Sequence, residues 1–308
     1  MIFDNNTVEQ FWLPVTGTEK QLPVTVINGA EEGKTAIVSA GIHSREYTGI
    51  EAAILLSKQL RPEIVHGRVI IIHCCNYDGF LQLTNDTVPE DGKNLNKVFP
   101  GDENGSASER IAAFISRKLL KECDYLIDLH SGGGDESLIP HAYYQCTAEP
   151  AIVKMSKAMS AHADMPCAVG SRFTVGLFSH AAKNGIPSVL LERGQYGVWS
   201  EKNSQAEAED VMNILRYLGV VCDDVPSVKY PQNTTDEAYY EKAQASGCWY
   251  PAKKPGECIT KGEKIGEIRD VFGQTIQQVY AKKSGVILYE TSSLAITAGS
   301  PMIAYGVL

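Results

Sequence analysis

Between residues 35 and 218 the chain repeats one construction, a short run rich in Val, Ile and Leu followed by a longer segment with apolar residues at three- and four-residue spacing. The short runs fall at 35–40, 69–74, 125–129 and 188–191 and are apolar toward both faces, which suits central strands buried on two sides. The segments of helical period fall at 47–60, 108–121, 151–162, 177–184 and 204–218. Two of them end on helix stop signals: Asn184-Gly185 stands before Pro187, and Leu60 precedes Arg61-Pro62. Strand and helix alternating in this way predict an α/β fold, a mixed and mostly parallel sheet with helices on both faces.

A chain of 308 residues has room for one large domain or two unequal ones. The pattern changes after residue 220, where CDDVPSVKYPQNTTDE is polar, contains proline and has no clear period. From 245 to 308, Gly and Pro punctuate short Val/Ile/Tyr runs, which predicts a small all-β module of sandwich or barrel type. The expected division is an α/β catalytic domain over 1–225 and a C-terminal β-barrel-like domain over 226–308.

A formal net charge of -9 argues against a nucleic-acid groove or a basic membrane-docking face, since both need clustered Lys and Arg. The first residues, MIFDNNTVEQFW, lack a basic segment leading into an apolar one, and no stretch reaches the roughly 18 apolar residues of a membrane span. The default expectation is therefore a cytoplasmic protein, a homo-oligomer being possible. Eight cysteines without a C-x-x-C pair read as reduced, packed thiols. The vicinal Cys74 and Cys75 would point to opposite faces if their segment is extended.

Three segments carry the chemistry. In AIVSAGIHSREYTG an apolar strand runs into Gly41, and His43 and Glu46 follow at its C-terminal end, where open α/β sheets place their binding crevice. In DYLIDLHSGGG the strand alternation puts Asp128 and His130 on one side, 84 residues after Glu46. His43, Glu46 and His130 form a two-histidine, one-carboxylate set with no fourth protein ligand, the pattern of a catalytic zinc site that keeps a position open, so one Zn2+ per chain is expected. Asp128 is placed to hydrogen-bond a ligand histidine. In GIPSVLLERGQYG a third apolar run ends in Glu192, on the same rim, in the position of a general base that later protonates the leaving amine. A fourth segment, DGKNLNKVFPG, offers Asn96 and Lys97 to a substrate carboxylate, the amide by hydrogen bond and the ammonium as a point charge.

Taken singly, each of these residues has a plainer reading as a surface turn or a satisfied core group. Their shared construction, an apolar strand followed by a polar residue and then glycine, is what puts them on one rim. His73, inside VIIIHCC, reads as a hydrogen-bonded core residue, and His66, His141, His162 and His180 lack ligand spacing. Arg172 and Arg193 read as exposed arginines, with contact to an anionic substrate as the alternative.

Together the segments 41–49 (GIHSREYTG), 91–101 (DGKNLNKVFPG), 128–131 (DLHS) and 192–194 (ERG) resemble the succinylglutamate desuccinylase/aspartoacylase family of the zinc carboxypeptidase superfamily. The resemblance covers roughly residues 30–220. It implies a zinc-carboxypeptidase-like fold, His43, Glu46 and His130 as zinc ligands, Glu192 as the catalytic glutamate, and Asn96 with Lys97 as the grip on a substrate carboxylate. The C-terminal β module also resembles the small β domain of that family. Two departures stand out: Lys97 occupies a position usually held by arginine, and no arginine appears near Leu83 to Asp86, where relatives often carry one.

The resulting expectation is a zinc-dependent amidohydrolase acting on a small N-acyl amino acid that carries an amide and a carboxylate. The alternatives are a carboxypeptidase acting on short peptides and a non-catalytic metal- or ligand-binding protein.

Overall fold

The structure is a computed structural model and describes residues 4–227 and 233–308. Its strands in chain order are β1 (Thr7–Pro14), β2 (Gln21–Asn28), β3 (Glu31–Ala40), β4 (His66–Ile72), β5 (Tyr125–His130), β6 (Glu136–Leu138), β7 (His141–Gln145), β8 (Cys167–Ser171), β9 (Ser188–Glu192) and β10 (Asn233–Thr235). The main helices are α1 (Tyr47–Gln59), α2 (Tyr77–Leu81), α3 (Ala107–Phe114), α4 (Pro150–Ser160), α5 (Leu177–Lys183) and α6 (Glu201–Tyr217).

Nine strands form one sheet in the order β1-β2-β4-β3-β5-β9-β7-β8-β10. Its centre, β4-β3-β5-β9, is parallel, β7 runs against β9, and β8 and β10 continue parallel to β7. This is the mixed, mostly parallel sheet that the sequence predicts. The strands' alternation divides the core into two layers. Ala36, Val38, Val69, Ile71, Ile127, Leu129, Val189 and Leu191 face the layer that includes α1, α4 and α6. Ile37, Ile70, Ile72, Leu126 and Leu190 face the layer that includes α3 and α5.

The four predicted central strands and five predicted helices are present, with ends shifted by a few residues. One helix differs in kind: the segment expected over 108–121 is α-helical only to Phe114 and then loosens into a π turn, Ile115–Leu119, and a short tight turn, Leu120–Glu122. The antiparallel pair β1 and β2 and the strands β7 and β8 carry too little continuous apolar run to announce themselves. Cys74 and Cys75 lie just past β4, and their side chains do enter opposite layers of the core.

The C-terminal region is antiparallel β throughout: β11 (Ala238–Lys242), β12 (Gly247–Pro251), β13 (Cys258–Ile259), β14 (Lys264–Arg269), β15 (Thr275–Tyr280), β16 (Gly285–Thr291), β17 (Ala295–Ile296) and β18 (Pro301–Val307). Two small sheets, β11-β18-β16-β13 and β15-β14-β12-β17, enclose Trp249, Ile265, Ile268, Ile287, Ile303 and Tyr305. This region is tied to the rest of the chain through β6, which pairs antiparallel with β16. That strand, six residues beyond His130, brings the β region against the rim where the candidate metal ligands stand.

Candidate metal centre and active site

Register explains why distant segments meet. Ser39 on β3 is paired with Asp128 on β5, and His130 on β5 is paired with Glu192 on β9. All four side chains point to the α3 and α5 side of the sheet, by the same alternation that sends Leu126 and Leu190 there. After β3 the chain turns at Gly41, whose φ of 63° is left-handed and whose Cβ position would lie 2.7 Å from Cys74 Sγ, so glycine is required to bring His43 over the strand ends. Glu46 occupies the N-cap position of α1 without capping it, because its carboxylate turns to the histidines.

His43 Nδ1 lies 2.6 Å from Glu46 Oε1, and His130 Nδ1 lies 2.8 Å from Glu46 Oε2. One ligand atom from each of the three residues falls within a 4.8 Å circle. The three predicted ligands are thus brought together. Their donor set fits a divalent cation of zinc type: two imidazoles and one carboxylate converge from three chain segments onto one point. Burial opposes charge on Glu46, yet the two imidazoles prevail and draw its carboxyl down to about 2. His130 is fully enclosed, but Glu46 and Asp128 more than offset that burial and hold its imidazole well above the usual range. Asp128 takes the supporting position read from the sequence, with Oδ2 3.3 Å from His130 Nε2 and Oδ1 accepting a 2.7 Å hydrogen bond from Ser39.

His43 and Glu46 open onto a chamber of about 870 Å³. Glu192 lines it, and burial together with the nearby Glu46 pushes its carboxyl well above the ordinary range, His130 only partly opposing. Asn96 and Lys97 line it as well. Asn96 Oδ1 accepts the Leu177 N–H at the start of α5 at 3.0 Å, which pins the side chain and leaves its NH2 for another partner. Lys97 has no ion-pair partner among the described residues and is the only Lys or Arg in the chamber wall.

Other parts of the site had no sequence signal. Glu136 on β6 lines the chamber, its Oε2 accepting the Gly133 N–H at 3.1 Å, and burial raises its carboxyl. Tyr143 on β7, Tyr240 on β11 and Tyr289 on β16 close the other side, so the C-terminal β region forms part of the wall.

Several remaining expectations change or gain detail. His141 lies in strand β7, enclosed beside Glu192 in register, with Nδ1 2.8 Å from the Ile139 carbonyl, and burial lowers it to about 4. Arg193 is not an exposed cation: it is buried and paired with Asp210 at 2.7 Å, its NH2 also donating to the Asp164 carbonyl. Arg172 is exposed, as read from the sequence. His73 is hydrogen-bonded to Thr25 at 2.7 Å.

Residues 32–218 match the model of the succinylglutamate desuccinylase/aspartoacylase catalytic domain. The chain belongs to this family. An N-alpha-acetyl-L-2,4-diaminobutyric acid deacetylase from Halomonas elongata is 30% identical over 303 residues, covering 93% of this chain and 87% of the relative. Among solved structures, the product-bound ectoine utilization protein of Ruegeria pomeroyi superposes with a TM-score of 0.89 at 24% identity, covering 100% of this chain and 98% of the other. A family protein from Rhodobacter sphaeroides superposes with a TM-score of 0.88 at 25% identity, covering 100% and 97%. These superpositions span the C-terminal β region as well as the catalytic domain. Among the described residues, no helix is long and apolar enough to cross a membrane.

Proposed function

We propose that the protein is a zinc-dependent deacylase that hydrolyses the amide bond of a small N-acylated amino acid, releasing a carboxylate and a free amine. The observation that carries this reading is the placement of Glu192: half-buried, in register with His130, and lining one chamber with His43 and Glu46. Family membership and the relative named as a deacetylase support amide hydrolysis as the reaction class.

His43, Glu46 and His130 hold the metal. Bound there, zinc supplies Lewis acidity toward a carbonyl oxygen and lowers the pKa of water. Glu192 receives the proton of the attacking water and passes it to the departing nitrogen, a double task suited to a carboxyl raised by burial toward the working pH. Asn96 and Lys97, which line the same chamber, hold the substrate carboxylate. A lysine in that position gives a point charge where a guanidinium would give a two-pronged grip, so orientation depends more on the Asn96 amide. Residues of the strands β16 and β17 form part of the chamber wall.

A panel of N-acetyl amino acids and unblocked dipeptides, assayed with the wild type and E192Q, tests the reading. The wild type is expected to turn over the N-acetyl compounds, and E192Q to lose on the order of 10²–10⁴-fold in kcat while keeping its metal. Turnover confined to dipeptides, which is the carboxypeptidase alternative, or an undiminished E192Q, would overturn it. A protein that binds metal but hydrolyses nothing would point to the binding-module alternative.

A further inference from the structure

One buried polar atom in the chamber wall has neither a partner nor a part in holding the metal or moving the proton. His141 is almost fully enclosed in β7 and lines the chamber. Its Nδ1 lies 2.8 Å from the Ile139 carbonyl oxygen, which can only accept, so Nδ1 carries the ring proton. Burial lowers the imidazole to about 4, which leaves Nε2 a bare acceptor at neutral pH. That Nε2 is buried and has no hydrogen-bond partner among the described residues. An acceptor taken out of water and left unmet is costly, and one in the wall of a binding chamber is met by a ligand that donates to it.

Register places this acceptor beside the reacting atoms. Glu192 is paired with His130 on one side and with His141 on the other, so β5, β9 and β7 present the three residues in one row. Residues paired across neighbouring strands send their side chains to the same face, at the strand spacing of about 4.8 Å. The order along the row is candidate metal ligand, proposed general base, unpartnered acceptor. Glu192 takes a proton from the attacking water on the His130 side and gives it to the departing nitrogen. That nitrogen therefore stands on the far side of Glu192, toward His141. A secondary amide carries one hydrogen on this nitrogen, and inside the chamber that hydrogen needs an acceptor.

We infer that His141 Nε2 accepts the N–H of the scissile amide, so that the chamber recognises its substrate as a secondary amide. With that hydrogen held by His141, the lone pair that develops on nitrogen as the carbonyl carbon becomes tetrahedral is turned toward Glu192. Glu192 gives up there the proton it took from water, the C–N bond breaks with its electron pair going to nitrogen, and the amine leaves. His141 gains and loses no proton in this sequence. The inference rests on the deacylase reading and adds the group that orients the leaving nitrogen.

The test uses the N-acetyl amino acid that the wild type turns over fastest and the ester in which oxygen replaces its N–H, which for N-acetylalanine is O-acetyl-lactate. The amide-to-ester ratio of kcat/KM cancels effects that fall on both substrates alike. H141N keeps an amide at the place of Nδ1, near the Ile139 carbonyl, and removes the acceptor at Nε2, whereas H141Q puts an amide oxygen near the place of Nε2. H141N is expected to lower the ratio about 10- to 100-fold, chiefly through kcat on the amide and at unchanged metal content, and H141Q to keep it within about 5-fold of the wild type. An unchanged ratio in H141N, or an equal fall in H141Q, overturns the inference. If H141N does not fold, H141F fills the volume of the ring without an acceptor: the same fall is expected, and an unchanged ratio overturns the inference. A wild type that hydrolyses no N-acetyl amino acid refutes the deacylase reading and the inference with it, whereas hydrolysis with an unmoved ratio refutes the inference alone.

Discussion

His130 and Glu192 stand side by side in register on the parallel strands β5 and β9, although 62 residues separate them in the chain. One register fixes the distance between the proposed metal ligand and the proposed general base, and the sheet rather than a loop holds it. Such a site tolerates changes in its surrounding loops better than changes in the strand ends.

Asp128 links the sheet to the proposed metal site through His130. Replacing it by alanine removes the partner of His130 Nε2 and leaves Ser39 without its acceptor. Metal affinity is expected to fall about 10- to 100-fold, the usual effect of losing such a supporting carboxylate. Competition with a chromophoric chelator measures this, and wild-type affinity in D128A would remove Asp128 from the account.

Gly194 follows the catalytic segment with a φ of 92°, and a Cβ there would lie 2.2 Å from Thr48 Oγ1 on α1. G194A is expected to cost about 1–3 kcal/mol in stability, from a strained backbone conformation and the steric conflict together. Its kcat should fall more than its KM changes, since Glu192 is displaced two residues away. Adding T48A should recover part of the stability. Denaturant titration of the single and double variants measures both effects.

Lys97 lines the chamber and has no ion-pair partner among the described residues, so its loss should affect substrate and not fold. K97M is expected to raise KM by about 10-fold or more, as for loss of a charged hydrogen bond, with a thermal midpoint close to that of the wild type. A large drop in the midpoint with an unchanged KM would assign Lys97 to the scaffold.

Glu290, on β16, is buried with one carboxylate oxygen lacking a hydrogen-bond partner. Burial pushes its carboxyl up to about 7, against the pull of Lys254 and with help from Glu257. A raised folded-state pKa means that the native state binds the proton more tightly than the unfolded chain does. Its stabilising contribution is therefore full below the ordinary carboxyl range, near pH 4.5, and is lost as pH rises through 7. E290Q should match the wild type near pH 4.5 and be the more stable protein at pH 8. Thermal midpoints across that range provide the check.

The central strands were legible in the sequence because burial on both faces makes them apolar at nearly every position, and the candidate metal ligands because they stand at or just beyond the ends of such strands. Glu136, Tyr143, Tyr240 and Tyr289 were not. Glu136 and Tyr289 meet through β6 pairing with β16, a contact between segments about 150 residues apart that no local pattern announces, and Tyr143 and Tyr240 sit on β7 and β11, strands with no long apolar run. The segment HAYYQ is short and mixes polar with aromatic residues, so it carries no clear strand signal, yet between β8 and β9 it forms a fully buried strand. Arg193 was read as exposed because its partner, Asp210, sits on α6 and meets it only after folding.

The central claim is that His43, Glu46 and His130 hold the metal on which catalysis depends. Metal-stripped protein titrated with zinc, with release of acetate from an Nα-acetyl amino acid followed at each addition, tests it most directly. Activity is expected to be absent at the start and to rise in proportion to bound zinc until one ion per chain, with H43A gaining neither. Full activity in the stripped protein, or an H43A variant that binds one zinc per chain and keeps wild-type turnover, would contradict the account.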